Sequence, residues 1–275
     1  MHKPQRILKT FKGALASGLL VLASISAIAA STSALASSLA DIEQRGTLRV
    51  AVPQDFPPFG SVGTDLQPQG YDIDMAEYLA EQMDVNLDLV TVTSANRIPF
   101  LQTDKVDLVI SSLGKNPERA AVIDFSEAYA PFFLGVFGTE QAEQIEEPAG
   151  LAGKTIGVTR GSVEDMELTG LAPGDTTIKR FEDNATTISA FLSGQVDYIA
   201  TGNVVAAQIA ERESQRAPKM VFQIKDSPCY IGLSQGNDEL KAKVNALIEQ
   251  AKQNGTLESL SQKWFHTSLP ESFGS

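Results

Sequence analysis

The chain has 275 residues, 43% of them hydrophobic and 20% charged, which is enough apolar material for two lobes of ordinary domain size. Its 34 acidic against 22 basic residues give a formal net charge of −12, a balance that opposes nucleic-acid binding. Cys229 is the single cysteine, so no intramolecular disulfide can form, and the 2 histidines, His2 and His266, argue against a His-based triad or a multi-histidine metal site.

Residues 1–36 open with Lys3, Arg6, Lys9 and Lys12 and contain no acid. An apolar run over 14–30 follows, then small residues ending in Ala34-Leu35-Ala36. This pattern predicts a secretory signal peptide over 1–36, cut after Ala36, with Ala27-Ile28-Ala29 as a second position that fits. The alternative is a membrane anchor, because the run approaches spanning length; the cleavage pattern favours the signal peptide. No cysteine flanks the cut, which argues against a lipoprotein. A soluble exported protein stays near its cell only in an enclosed space, so the periplasm is expected. Removing 1–36 leaves 18 basic and 34 acidic residues, a formal charge of −16 that favours a soluble monomer.

The first strand is predicted over 48–52, followed by the aromatic-proline loop Asp55-Phe56-Pro57-Pro58-Phe59. Gly70 then turns into a helix whose Met75, Leu79 and Met83, with Ala76 and Ala80, share one apolar face. Asp72 and Asp74 lie in its first turn, where negative charge suits the helix dipole. Strands over 87–92 and 106–110 flank a helix over 96–102, and a strand over 132–137 follows. The polar, acidic stretch 140–148, with Pro148 and Gly150 as breakers, reads as a connection into a second unit. That unit alternates strands over 154–158, 176–180, 196–200 and 220–224 with helices over 162–169, 184–192 and 203–214. A strand over 230–233 and a helix over 238–254, capped by Gly255, complete the chain. Alternating strands and helices predict an α/β architecture.

The run Gly70-Tyr71-Asp72-Ile73-Asp74-Met75-Ala76-Glu77-Tyr78-Leu79-Ala80, placed after a strand and a proline loop, resembles the signature of periplasmic solute-binding proteins of family 3, which serve polar amino acid ABC transporters. Asp107-Leu108-Val109-Ile110-Ser111-Ser112-Leu113-Gly114-Lys115-Asn116-Pro117-Glu118-Arg119 continues the resemblance through Val122-Ile123-Asp124-Phe125-Ser126. The resemblance implies a type II periplasmic binding protein with two mixed sheets flanked by helices and a ligand cleft between lobes. Lobe one would comprise 40–132 plus 227–275, and lobe two 133–226, inserted between two hinge crossings.

The resemblance also implies site residues. Arg119 would grip the ligand α-carboxylate with backbone groups around Ser112 and Gly114; a guanidinium matches a carboxylate at two points. On the residues alone, Arg119 pairs equally with Glu118 or Asp124 in solvent. Phe56 would cover the ligand, while Phe59 reads as core. Thr159, Ser162 and the Val163 backbone would face the cleft where a strand runs into a helix start, a natural anion site; a plain cap by Ser162 is the competing reading. Cys229 reads as a small apolar hinge residue.

Two positions depart from the family. Members that bind α-amino acids place an aspartate, which holds the ammonium, where this chain has Gly202, next to Asn203. Ser94 stands where an aromatic is common, followed by Asn96 and Arg97, so the cleft gains a cation that favours an acidic or polar ligand side chain. Asn203, backbone carbonyls at Ser112 or Gly114, Asp55 and Glu164 remain open as replacements for the aspartate. Gly153-Lys154-Thr155 fails as a phosphate loop, because the earlier glycine falls on Pro148 and the motif precedes a strand. The expected function is therefore a receptor for a small carboxylate, an amino acid first, delivered to an ABC permease in the inner membrane, with no catalytic residue, metal or cofactor. The rival is an enzyme on the same fold resembling cyclohexadienyl dehydratase, with Glu164 and Asp55 as its candidate acids.

Overall fold

The computed structural model describes residues 38–212 and 215–273. The expected signal peptide over 1–36 lies outside the described residues.

The chain begins with α1 (Leu39–Arg45), capped by reciprocal bonds between Ser38 and Asp41, and enters β1 (Thr47–Pro53). The short hairpin β2 (Ser61–Val62) and β3 (Pro68–Gln69) then leads to α2 (Tyr71–Gln82). Gly70 opens α2 at φ 146°, and a Cβ there would lie 2.2 Å from the Phe59 carbonyl oxygen, so only glycine fits this turn. The apolar face read from the sequence is buried: Met75, Ala76 and Leu79 are fully enclosed, Ala80 is 3% and Met83 9% exposed.

β4 (Asn86–Val92), α3 (Arg97–Gln102), β5 (Leu108–Gly114), the single turn α4 (Pro117–Ala120), β6 (Asp124–Ala130) and β7 (Phe133–Gly138) follow. β5 starts later and ends later than the predicted strand over 106–110. All seven of its positions are buried; Leu113 and Gly114 pair with β12, while Ser111 and Ser112 fall at the irregularity in that pairing. β8 (Thr155–Thr159), α5 (Val163–Leu171), β9 (Thr177–Phe181), α6 (Asn184–Leu192), β10 (Tyr198–Gly202), α7 (Asn203–Arg212) and β11 (Lys219–Asp226) build the middle of the chain. β12 (Cys229–Leu233), α8 (Asp238–Gln253) and α9 (Thr256–Phe265) end it. Sequence reading missed α1, the short hairpin β2–β3, β6 and α9.

Two five-stranded sheets result. The first runs β4-β1-β5-β12-β6 and the second β11-β7-β10-β8-β9. β12 pairs antiparallel with β5 and β6, so residues from the end of the chain return to a sheet made by its beginning. The second sheet is built wholly from residues between β6 and β12. Two segments therefore cross between the sheets, around Pro131–Phe132 and Ser227–Pro228, and they are tied by a 2.9 Å bond from the Ser227 N–H to the Phe132 carbonyl. The Asn203 side chain at the start of α7 accepts from the Phe133 N–H at 3.1 Å, where the first crossing enters β7. Cys229 is fully buried beside this crossing.

Candidate functional site

The strands β1, β5 and β8 end toward a small cavity between the two sheets. From the side of the first sheet it is lined by Phe56, on the loop after β1, by Ser94 and Arg97 at the start of α3, and by Ser112 in β5. From the second it is lined by Thr159 at the end of β8, Ser162, Val163 and Glu164 at the start of α5, Asn184 opening α6, and Ala200 and Thr201 in β10. Its volume is about 10 Å³, room for roughly one water molecule. The two faces are closed on each other. The Asn116 amide meets the Met166 sulfur at 3.4 Å, and the Asp55 carboxylate accepts from the Asn184 amide at 3.1 Å and the Ala185 N–H at 3.0 Å. Asp55 thus sits on the positive end of α6 from the opposite face.

The charges around this cavity are dry. Arg97 donates through Nη1 to the Ser111 carbonyl at 2.6 Å and through Nη2 to Ser94 Oγ at 2.7 Å, while its buried Nε has no partner. Burial draws its pKa below the ordinary guanidinium value, and the charges of Glu164 and Asp72 oppose that shift. Arg119 donates to the Gly114 carbonyl at 2.7 Å and, across the cavity's edge, to the Gly161 carbonyl at 3.0 Å. Burial first and the Arg97 charge second pull its pKa down to about 9.

Glu164 is buried at the second position of α5. Desolvation raises its pKa, opposed by its own backbone N–H, the Ser162 hydroxyl and the two arginine charges. Asp72, fully buried in α2, accepts from Tyr129 Oη at 2.5 Å and the Ser112 N–H at 2.8 Å. Burial nevertheless lifts its carboxyl pKa to about 7. No ion pair within 4.0 Å between described residues involves Arg97, Arg119, Glu164 or Asp72. No cluster of described residues has the donors for a metal ion.

Of the residues singled out from the sequence, Phe56, Ser94, Arg97, Ser112, Thr159, Ser162 and Val163 line the cavity together. Gly114, Arg119, Gly202 and Asn203 do not. Arg119 is held by two carbonyls at the rim, one of them that of Gly114. Asn203 is spent on the hinge. At Gly202 a Cβ would lie 1.7 Å from the Phe132 ring, which itself packs edge-on to Phe59 at 5.3 Å, so an aspartate cannot occupy this position without displacing the hinge aromatic. Ser162 also caps α5, accepting from the Asp165 N–H at 3.2 Å, so the cap and the cleft are one place. Asn184, Ala200 and Thr201 were not foreseen. Asn184 carried a signal, since it begins a helix after Asp183, where free N–H groups face outward.

Residues 48–267 match the bacterial extracellular solute-binding proteins, family 3. The chain is 24% identical over 249 residues to the L-cystine-binding protein TcyJ of Escherichia coli (strain K12), covering 90% of this chain and 93% of that protein. It is 27% identical over 252 residues to the L-arginine-binding protein of Pseudomonas aeruginosa, covering 89% of this chain and 96% of that one. Among solved structures it is similar to the ancestral amino acid-binding protein AncCDT-1, a precursor of cyclohexadienyl dehydratase. The TM-score is 0.76 and the identity 32%, over 83% of this chain and 100% of the other. The match runs from β1 to the end of α9 through both sheets and both crossings, and the chain therefore belongs to family 3 of the bacterial extracellular solute-binding proteins, with their two-lobed α/β fold.

Proposed function

We propose that this protein is a monomeric periplasmic receptor that closes its lobes on an amino acid and delivers it to an ABC permease of the inner membrane. The observation that carries this reading is the buried Arg97 guanidinium, which lines the cavity, has an unpartnered Nε and makes no ion pair within 4.0 Å among the described residues. A buried donor without a partner is costly, and a ligand carboxylate would remove that cost. Arg119 stands at the rim and can exchange the Gly161 carbonyl for a carboxylate oxygen as the lobes part and reclose. Two guanidiniums beside one acidic group favour a ligand with an acidic side chain as well as an α-carboxylate.

The sheets support lobe one as 40–132 plus 227–275 and lobe two as 133–226. A cavity of about 10 Å³ requires the lobes to open for an amino acid to reach Arg97, as hinge closure around ligands provides. No covalent step is needed. Similarity to AncCDT-1 keeps the dehydratase reading in view, with Glu164 the buried acid it would need; Asp55 is engaged with α6.

Mass spectrometry of ligand released from gently purified protein, followed by calorimetry with the twenty L-amino acids, tests the proposal. A bound amino acid with 1:1 stoichiometry is expected, unchanged after incubation. Turnover of a cyclohexadienyl substrate would favour the enzyme, and binding of no amino acid would overturn the receptor.

A further inference from the structure

The family resemblance implies an ammonium-binding aspartate where this chain has Gly202, and that position is closed by Phe132 packed over it. An ammonium buried in this cleft still needs a counter-charge. The structure assigns most of the alternatives to other tasks. Asn203 Oδ1 takes the Phe133 N–H, Asp55 takes the start of α6, and the Gly114 carbonyl takes Arg119. Asp72 faces Tyr129 and the Ser112 N–H behind β5 and does not line the cavity.

Glu164 differs from all of these. It lines the cavity on the face opposite Arg97, it is buried, and it makes no ion pair within 4.0 Å among the described residues. Its charged form is favoured by the Ser162 hydroxyl and its own backbone N–H, both within its own turn. A carboxylate offers about four acceptor sites, so capacity remains. Arg97, which lines the same cavity from the opposite face, is likewise buried and makes no ion pair within 4.0 Å among the described residues. One cation lining the cavity, a second at its rim and one anion on the opposite face, none of them ion-paired among the described residues, complement a ligand that carries two carboxylates and one ammonium.

We infer that Glu164 is the residue that receives the ligand α-ammonium, from the first turn of α5, in place of the acid that Gly202 lacks. This rests on the amino-acid receptor reading above. The consequence is a relocated specificity element. Lobe two supplies the anion from a helix start instead of a strand end, and the ammonium is gripped only when α5 closes on the face that carries Arg97.

The test is a calorimetric cycle with L-glutamate and with glutarate, the same dicarboxylate without the amine, on wild type and Glu164→Gln. If another amino acid binds more tightly, that amino acid and its deaminated analogue are used instead. Wild type should prefer the amine by about 30-fold, the scale of a hydrogen bond to a charged group. Glu164→Gln should lose about that factor for the amino acid while holding the analogue within roughly threefold, since the analogue has no group to pair with residue 164. Retained binding of the analogue also shows that the variant is folded. An unchanged preference for the amine in Glu164→Gln, or equal weakening of both ligands, overturns the inference, the latter marking a structural role. Equal wild-type affinity for both ligands overturns it too while leaving a carboxylate receptor standing. Binding of no amino acid at all removes the receptor reading and this inference with it.

Discussion

The two faces of the cleft are made differently. The first presents cations fixed to the carbonyls of a fully buried strand or its end: Arg97 on Ser111 and Arg119 on Gly114, with Asp72 behind. The second presents helix starts, with Ser162, Val163 and Glu164 at α5 and Asn184 at α6, backed by the Thr159 to Thr187 hydroxyl pair at 2.8 Å. A guanidinium bonded to a sheet carbonyl cannot move without the strand, whereas a helix start travels with its lobe. The comparison teaches a complementarity: the first face offers fixed cations, and the second offers helix starts and the one buried acid among the described residues that line the cavity.

The largest effect should come where the two faces meet at the hinge. Gly202→Asp introduces the residue type that the family resemblance implies at this position, yet its side chain would enter the space of Phe132. It should destabilise the fold by on the order of 5 kcal/mol, from overpacking plus a buried unpaired charge. Denaturant unfolding measures this, and a near-neutral variant would mean that the hinge aromatic moves freely.

Asp72 tests how rigid the first face is. Its pKa is about 7 in the fold against 3.8 for the ordinary group. Between these values the unfolded chain has released the proton and the native protein keeps it, so stability falls as pH rises through this window. The loss should be on the order of 4 kcal/mol by neutral pH. Unfolding of Asp72→Asn should show a flatter dependence between these two values, and an unchanged slope would place the titration elsewhere.

Arg119→Ala should weaken amino-acid binding by about 3 kcal/mol, within the usual cost of truncating one partner of a buried charge pair. Calorimetry giving an affinity close to wild type would leave Arg97 as the operative cation and Arg119 as a rim contact between Gly114 and Gly161.

The smallest effect belongs to closure. Asp55→Ala removes a cap that α6 receives from the opposite face, worth ~1 kcal/mol for a helix N-terminus. Small-angle scattering should show a larger radius of gyration without added ligand and recovery at saturation. An unchanged profile would remove Asp55 from the closing contact.

By itself the sequence determined the local units. The helix after Gly70 was legible because its apolar spacing matches the helical period, whereas Ser112 and Thr159 were named only through the family resemblance and Arg97 as a departure from it. α9 escaped because Gly255, at φ 80°, ends α8 and opens the next helix, so a stop signal was also a start. β5 was shifted because Ser111 and Ser112 read as a turn until the neighbouring strands enclose them. What only the tertiary structure decided is how distant residues share space. Phe132 fills the place above Gly202, Asp55 is drawn to a helix more than a hundred residues away, and Glu164 is left as an acid with acceptor capacity toward the cavity. Periodicity and local spacing encode which face of an element is buried. They carry no information about which distant side chain arrives there, and in this cleft that arrival fixes which charges are already paired and which remain for a ligand.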